Sequence, residues 1–246
     1  MNISNQRIEE IMNFIKGLNL DQKYQKEFTK KKIRNISLIN ESLTHSSANS
    51  EINYENLEFI GDAVLRLIAS NFIKNKYPYM LVGERSELRS HLVSDQWLEE
   101  VGKIINIKSV LIIGKKALKD KSANATIQAE ATEALIGALY ESLTDLDPIK
   151  NWLIPFWEDK SKEVLADPHR KNYKSALQEW TQSKGLSIPK YKTTETDKRH
   201  NNPKRFVCTV YIKNRSIAEG WGKSMKKAEK DAANKALKDL DDNFLK

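Results

Sequence analysis

Between residues 55 and 76, Leu57, Ile60, Val64, Leu67 and Ile68 recur at helical spacing, and Tyr77-Pro78 closes the run. The pattern predicts one long buried helix. Within it stand Glu58 and Asp62, one turn apart and therefore on the same face. Buried carboxylates are costly unless their charge is compensated, and two of them one turn apart raise each other's pKa. One reading is a hard divalent cation with oxygen ligands between them, with Gly61 permitting close backbone approach. The other is that Asp62 pairs with Arg66 while Glu55 and Glu58 lie on a solvated edge.

A second stretch bears on that choice. Residues 129–140 form another apolar helical segment, and it carries Glu130 and Glu133 at i, i+3. Two acidic pairs on two buried helices could supply three or four carboxylates to one magnesium site. Such a site suits phosphodiester hydrolysis, because the ion polarises a phosphoryl oxygen, activates water and steadies the leaving oxygen.

The rest of the first two-thirds is also helical. Ile8, Ile11, Met12, Ile15 and Leu18 form one stripe ended near Gly17 and Asn19. Leu88–His91 leads into a helix through Leu98 and Val101, and Asp147-Pro148 opens one carrying Trp152, Phe156 and Trp157. Near Leu165–Tyr173 the apolar period stops. Beyond it, residues 174–183 suggest a short helix ended by Gly185. Phe206, Cys208, Val210 and Ile212 then alternate as a half-buried strand, Asn214 turns the chain, and Ile217–Trp221 returns it. Ser224 caps a last helix with Ala228, Ala232, Ala236, Leu237 and Leu240 inside. This tail is a small α+β module.

Charge divides at the same place. The chain of 246 residues has a net charge of +8, yet residues 168–246 hold 19 Lys and Arg against 9 Asp and Glu, and residues 1–167 hold 22 against 24. A near-neutral body with a strongly basic tail suggests an acidic polymer as partner, the alternative being a basic face that only aids solubility. No stretch approaches the ~18 apolar residues of a membrane span. The first twenty residues carry Arg7, Glu9, Glu10 and Lys16 rather than a signal-peptide apolar segment, so the cytoplasm is the expected compartment. Nine glycines disfavour a glycine-rich dinucleotide fold. Cys208, as the single cysteine, excludes an internal disulfide and a multi-cysteine zinc site, and reads as a core residue. Gly220-x-Gly222-Lys223-Ser224 ends like a phosphate-binding loop, but Ile217 stands where that loop needs its first glycine.

The segment Tyr54-Glu55-Asn56-Leu57-Glu58-Phe59-Ile60-Gly61-Asp62-Ala63-Val64-Leu65 resembles the ribonuclease III signature Asn-Glu-Arg-Leu-Glu-Phe-Leu-Gly-Asp-Ser-Val-Leu. Leu43-Thr44-His45-Ser46-Ser47 is similar to that family's upstream Leu-Thr-His-x-Ser, residues 83–93 to its middle segment, and residues 129–140 to its second acidic segment. The tail resembles a double-stranded-RNA-binding domain, opening with Lys174-Ser175-Ala176-Leu177-Gln178-Glu179.

The resemblance implies a mainly α protein: an all-helical endonuclease domain over residues 1–165, a linker over 166–172, and an α-β-β-β-α RNA-binding domain over 173–246. It implies Mg2+, with Mn2+ able to substitute, held by Glu58, Glu130 and Glu133, and makes Asp62 and Glu133 the catalytic acids. Glu55 falls on a structural or dimer-linked carboxylate, and Glu84 on a further acidic position. Gln178 and Glu179 would reach 2′-hydroxyls, while Lys223, Lys226 and Lys227 would meet phosphates; His200 is assigned no groove contact. A homodimer, no membrane and no small-molecule cofactor are expected. So are cleavage to 5′-phosphate and 3′-hydroxyl ends and the processing of ribosomal and other RNA precursors. The chain departs from the family at Glu130, where Asp is usual, at Ala63, where Ser is common, and in one lysine of the final-helix pair. The alternative is a duplex-RNA-binding protein whose active site has decayed.

Overall fold

The computed structural model describes residues 3–21, 24, 26, 28, 32–120, 123–143, 145–167, 172–199 and 202–244. His200 lies outside these, as does part of the expected linker. The chain forms two compact units, Met1–Val164 and Leu165–Lys246.

The first unit consists of α1 (Asn5–Gly17), α2 (Lys32–Ser42), α3 (Glu55–Lys76), α4 (Val82–Leu92), α5 (Asp95–Ile104), a 3-10 turn (Ile107–Val110), α6 (Lys115–Leu118), α7 (Asn124–Leu143) and α8 (Asp147–Leu165). Caps fix several of these ends: the Ser4 and Ser94 hydroxyls accept from the backbone N–H groups of Arg7 and Trp97. Helix α7 is the centre. Ile127, Ala131, Ala134, Leu135, Ile136, Ala138 and Leu139 are buried around most of its circumference, and α2, α3 and α5 pack on it. A second focus is Trp157, stacked on Trp97 at 5.8 Å and tilted against Phe72 at 5.5 Å; its indole N–H donates to the Leu92 carbonyl at 3.0 Å.

In α3 the expected inner stripe is corrected at two positions. Leu57, Val64 and Ile68 are buried, but Ile60 is half-buried and Leu67 is 51% exposed. At about 100° per residue, Leu65 and Leu67 lie about 80° to either side of Leu57. Leu65 is fully buried, so the inward sector is centred on the Leu65 side, along with Gly61, Ala69 and Phe72.

The second unit is α9 (Tyr173–Ser183), β1 (Lys190–Glu195), β2 (Phe206–Ile212), β3 (Arg215–Gly222) and α10 (Met225–Phe244). The strands form one antiparallel sheet in the order β1-β2-β3. Lys213 and Asn214 both have positive φ, 47° and 63°, the backbone a two-residue hairpin of right-handed twist requires. Cys208, Val210 and Ile212 face inward against Leu177, Ala228, Ala232, Ala233, Ala236 and Leu237. The Gly-x-Gly of β3 is a packing device: a Cβ at Gly220 would stand 2.1 Å from the Ala232 nitrogen, and one at Gly222 2.4 Å from that of Ala228. Ala-rich α10 and glycine-bearing β3 thus approach backbone to backbone.

Candidate active site and RNA-binding face

Two glycines bring the two acidic helices together. A Cβ on Gly61 of α3 would lie 2.0 Å from the Glu133 carbonyl oxygen, and a Cβ on Gly137 of α7 would lie 2.0 Å from the Leu57 carbonyl oxygen. Each helix therefore presses its backbone onto the other's glycine. The Glu133 Cγ lies 3.3 Å from the Gly61 Cβ position, so that side chain runs over Gly61, between Glu58 and Asp62 in sequence. The sequence flagged Gly61; Gly137 had no signal of its own, because only the crossing reveals its partner.

Replacing Gly137 by Ala is expected to lower the thermal midpoint by about 2–12 °C, since overpacking a tight contact costs about 1–3 kcal/mol and each kcal/mol shifts a domain of this size by about 2–4 °C. Gly83, whose Cβ would meet nothing within 4 Å, is the control, and Gly83→Ala should leave the midpoint within about 1–2 °C. Calorimetry on both variants checks this.

The carboxylates feel one another. Burial, then the charges of Asp62, Glu58 and Asp95, push the Glu133 carboxyl up to about 8, with Arg66 acting in the opposite sense. Burial and the charges of Glu130, Glu55, Asp95 and Asp62 raise Glu58 likewise. Glu130 accepts a hydrogen bond from the hydroxyl of Tyr54. Asp62 takes the Arg66 Nε–H on both carboxylate oxygens, at 2.6 and 2.8 Å. The Asp62–Arg66 pair exists and Glu55 is exposed, whereas Glu58, Glu130 and Glu133 are only half-exposed or less and electrostatically linked. Glu84 stands apart in role, its carboxylate accepting from the Leu81 N–H at 2.9 Å to cap α4.

Asp95, which acts on both Glu58 and Glu133, escaped the sequence reading. It follows the Ser94 cap of α5, where an acidic residue is ordinary for a helix start.

The donor chemistry fits a hard divalent ion: carboxylate oxygens whose ionised form is disfavoured first by burial and then by one another's charge. Among the described residues, no group of three His, Cys, Asp or Glu side chains is already placed to hold a metal ion. Each Glu side chain has three rotatable torsions, the freedom that convergence on an ion would use.

The sign of the pH effect follows from Glu133. Its carboxyl is raised from 4.5 to about 8 on folding, so the folded state holds a proton that the unfolded chain has released. This contribution is complete below pH 4.5 and is lost as pH rises toward 8. Metal-free protein is expected to melt at lower temperature at pH 8 than at pH 6, and Glu133→Gln should flatten that slope.

In the second unit Gln178 and Glu179 are exposed on α9, and Lys223, Lys226 and Lys227 are exposed at the start of α10. Among the described residues none of the three lysines is held in an ion pair. Ser224 caps this helix, its hydroxyl accepting from the Lys227 N–H at 3.3 Å, so the lysines surround a positive helix end. Lys174 ties α9 to α10 through Glu229 at 2.7 Å.

Comparison with known proteins agrees with this division. The ribonuclease-III-like family profile matches residues 35–144, and the double-stranded RNA binding motif matches residues 173–240. A Ribonuclease 3 of Prochlorococcus marinus is 52% identical over 97% of this chain and 96% of its own length. A second relative, a Ribonuclease 3 of Synechocystis sp., is 39% identical over 83% and 84%. The crystal structure of the ribonuclease III nuclease domain from Campylobacter jejuni is 23% identical, covers 64% of this chain and 96% of that one, and gives a TM-score of 0.49.

A helical nuclease domain with a duplex-RNA-binding module defines an endoribonuclease. The chain belongs to the ribonuclease III family.

Proposed function

We propose that this endoribonuclease hydrolyses duplex RNA with Mg2+, or Mn2+ in its place, at the α3–α7 crossing. The observation that carries the reading is the reciprocal glycine contact, which sets Glu58 and Asp62 beside Glu130 and Glu133. Glu58, Glu130 and Glu133 hold the ion, and Asp62 completes the acidic site. Magnesium there supplies Lewis acidity toward the phosphoryl oxygen and lowers the pKa of water. The half-buried carboxylates exclude competing anions and accept the proton of the attacking water. Arg66 orients the Asp62 carboxylate through its Nε–H.

Gln178 and Glu179 read 2′-hydroxyls, which distinguish RNA from DNA, while Lys223, Lys226 and Lys227 grip phosphates. The nuclease domain spans 1–165, the linker 166–172 and the RNA-binding domain 173–246. The active form is a homodimer: Phe59 is 78% exposed and Leu67 51%, and with exposed Ala63 they form an i, i+4, i+8 apolar stripe on α3 that a second copy would cover. Two sites then cut opposite strands, leaving 5′-phosphates, 3′-hydroxyls and short 3′ overhangs. Ribosomal and messenger RNA precursors in the cytoplasm are the substrates; among the described residues no helix is long and apolar enough to cross a membrane.

End-group analysis tests the reading. Products of a uniform duplex should be ligatable without prior phosphorylation and should carry staggered ends. Cyclic phosphates or 5′-hydroxyls would overturn it.

A further inference from the structure

The proposed reaction gives no role to the segment Leu43–Ser47 or to Tyr54. The structure joins them. Leu43 and His45 pair with Ile112 through backbone bonds of 2.8 and 2.9 Å, and the Ser47 hydroxyl accepts from the Gly114 N–H at 3.0 Å. His45 is turned by its own loop, its Nδ1 accepting from the Ser47 N–H at 2.9 Å. On this base sits Tyr54. Its N–H donates to the Thr44 carbonyl at 2.9 Å, and its ring meets the His45 ring edge-on, with centroids 5.4 Å apart at 83°. Tyr54 is only 2% exposed, so its ring has one place to be, and its hydroxyl donates to Glu130.

We propose that Tyr54, fixed by residues 43–47, is a positioning residue that aims the longer Glu130 carboxylate at the metal. The inference rests on the magnesium reading above. The hydrogen bond ends on the position where this chain has Glu130 and Asp is usual. An extra methylene gives Glu130 another free torsion and roughly 1.5 Å more reach. A donor at the end of a buried, rigid ring removes that freedom while leaving the second carboxylate oxygen for a cation. A hydrogen bond to a charged acceptor is among the stronger kinds, so its loss should be measurable.

The test is a double-mutant cycle on the full chain, with Mn2+ binding read from the loss of its free electron-spin-resonance signal. Tyr54→Phe keeps the ring against His45, and a thermal midpoint within a few degrees of the parent confirms that the fold is kept. In the Glu130 background, Tyr54→Phe is expected to weaken Mn2+ binding about 5–15-fold. In the Glu130→Asp background, where the shorter arm no longer reaches the hydroxyl, the same change should alter binding less than about twofold. An equal penalty in both backgrounds, or none in the first, would overturn the positioning role while leaving the metal site standing. A parent chain that binds no Mn2+ would overturn both.

Discussion

Glu133→Gln is expected to slow single-turnover cleavage of duplex RNA by at least about 10³-fold, a barrier increase of about 4 kcal/mol. Binding of the same duplex should stay within about twofold. The amide preserves shape and burial but gives no anionic ligand and accepts no proton. Loss through misfolding predicts the reverse signature. Burial and the charges of Asp62, Glu58 and Asp95 penalise the ionised Glu133 side chain in metal-free protein, so the neutral amide should melt at or above the parent's midpoint at pH 8. Calorimetry together with quenched-flow cleavage and a binding titration checks all three. Cutting at the parent rate would remove Glu133 from the mechanism.

Removing residues 168–246 is the second large effect. The segment carries 19 basic and 9 acidic residues, while the remainder is slightly acidic. Affinity for duplex RNA should fall by at least about 100-fold at moderate salt, and the salt dependence should flatten, because each phosphate contact contributes about 0.9 to the slope in a B-form duplex, the nearest guide. The full chain with Lys223, Lys226 and Lys227 all changed to Gln isolates the helix-end cluster, and its slope should fall by about 2–3. In both variants cleavage at saturating RNA should change less than tenfold. Filter binding across a salt series, with single-turnover rates alongside, measures the two effects separately. An unchanged slope in the triple variant would mean that phosphates are held elsewhere.

Periodicity made much of this architecture legible. The 3.6-residue spacing marks Glu55–Lys76 and the core of Asn124–Leu143, and the two-residue alternation marks Phe206–Ile212. It located α3 but not its exact orientation: Leu67 and Leu65 flank Leu57 symmetrically, and only packing against α7 decides which is buried. The acidic pairs were visible as pairs. That they meet depends on Gly61 and Gly137, a contact between residues 76 positions apart that no local spacing encodes. Tyr54 carries no local sign of a role, because its partner Glu130 is equally remote in sequence. Asp95 looks like any first-turn acid until its charge is felt at Glu58 and Glu133. The Gly220-x-Gly222 pair shows the converse: a local pattern suggestive of phosphate binding is instead a contact surface for α10.

The most direct measurement is single-turnover cleavage of one long, end-labelled duplex RNA by the full chain, first in chelator and then across a magnesium titration. Duplex RNA should bind but stay intact in chelator. Cutting should then appear with rising magnesium, saturate, and vanish in the Glu133→Gln variant at every concentration. RNA that is bound and uncut throughout the titration, or cut equally well in chelator, would contradict a metal-dependent active site at the crossing of α3 and α7.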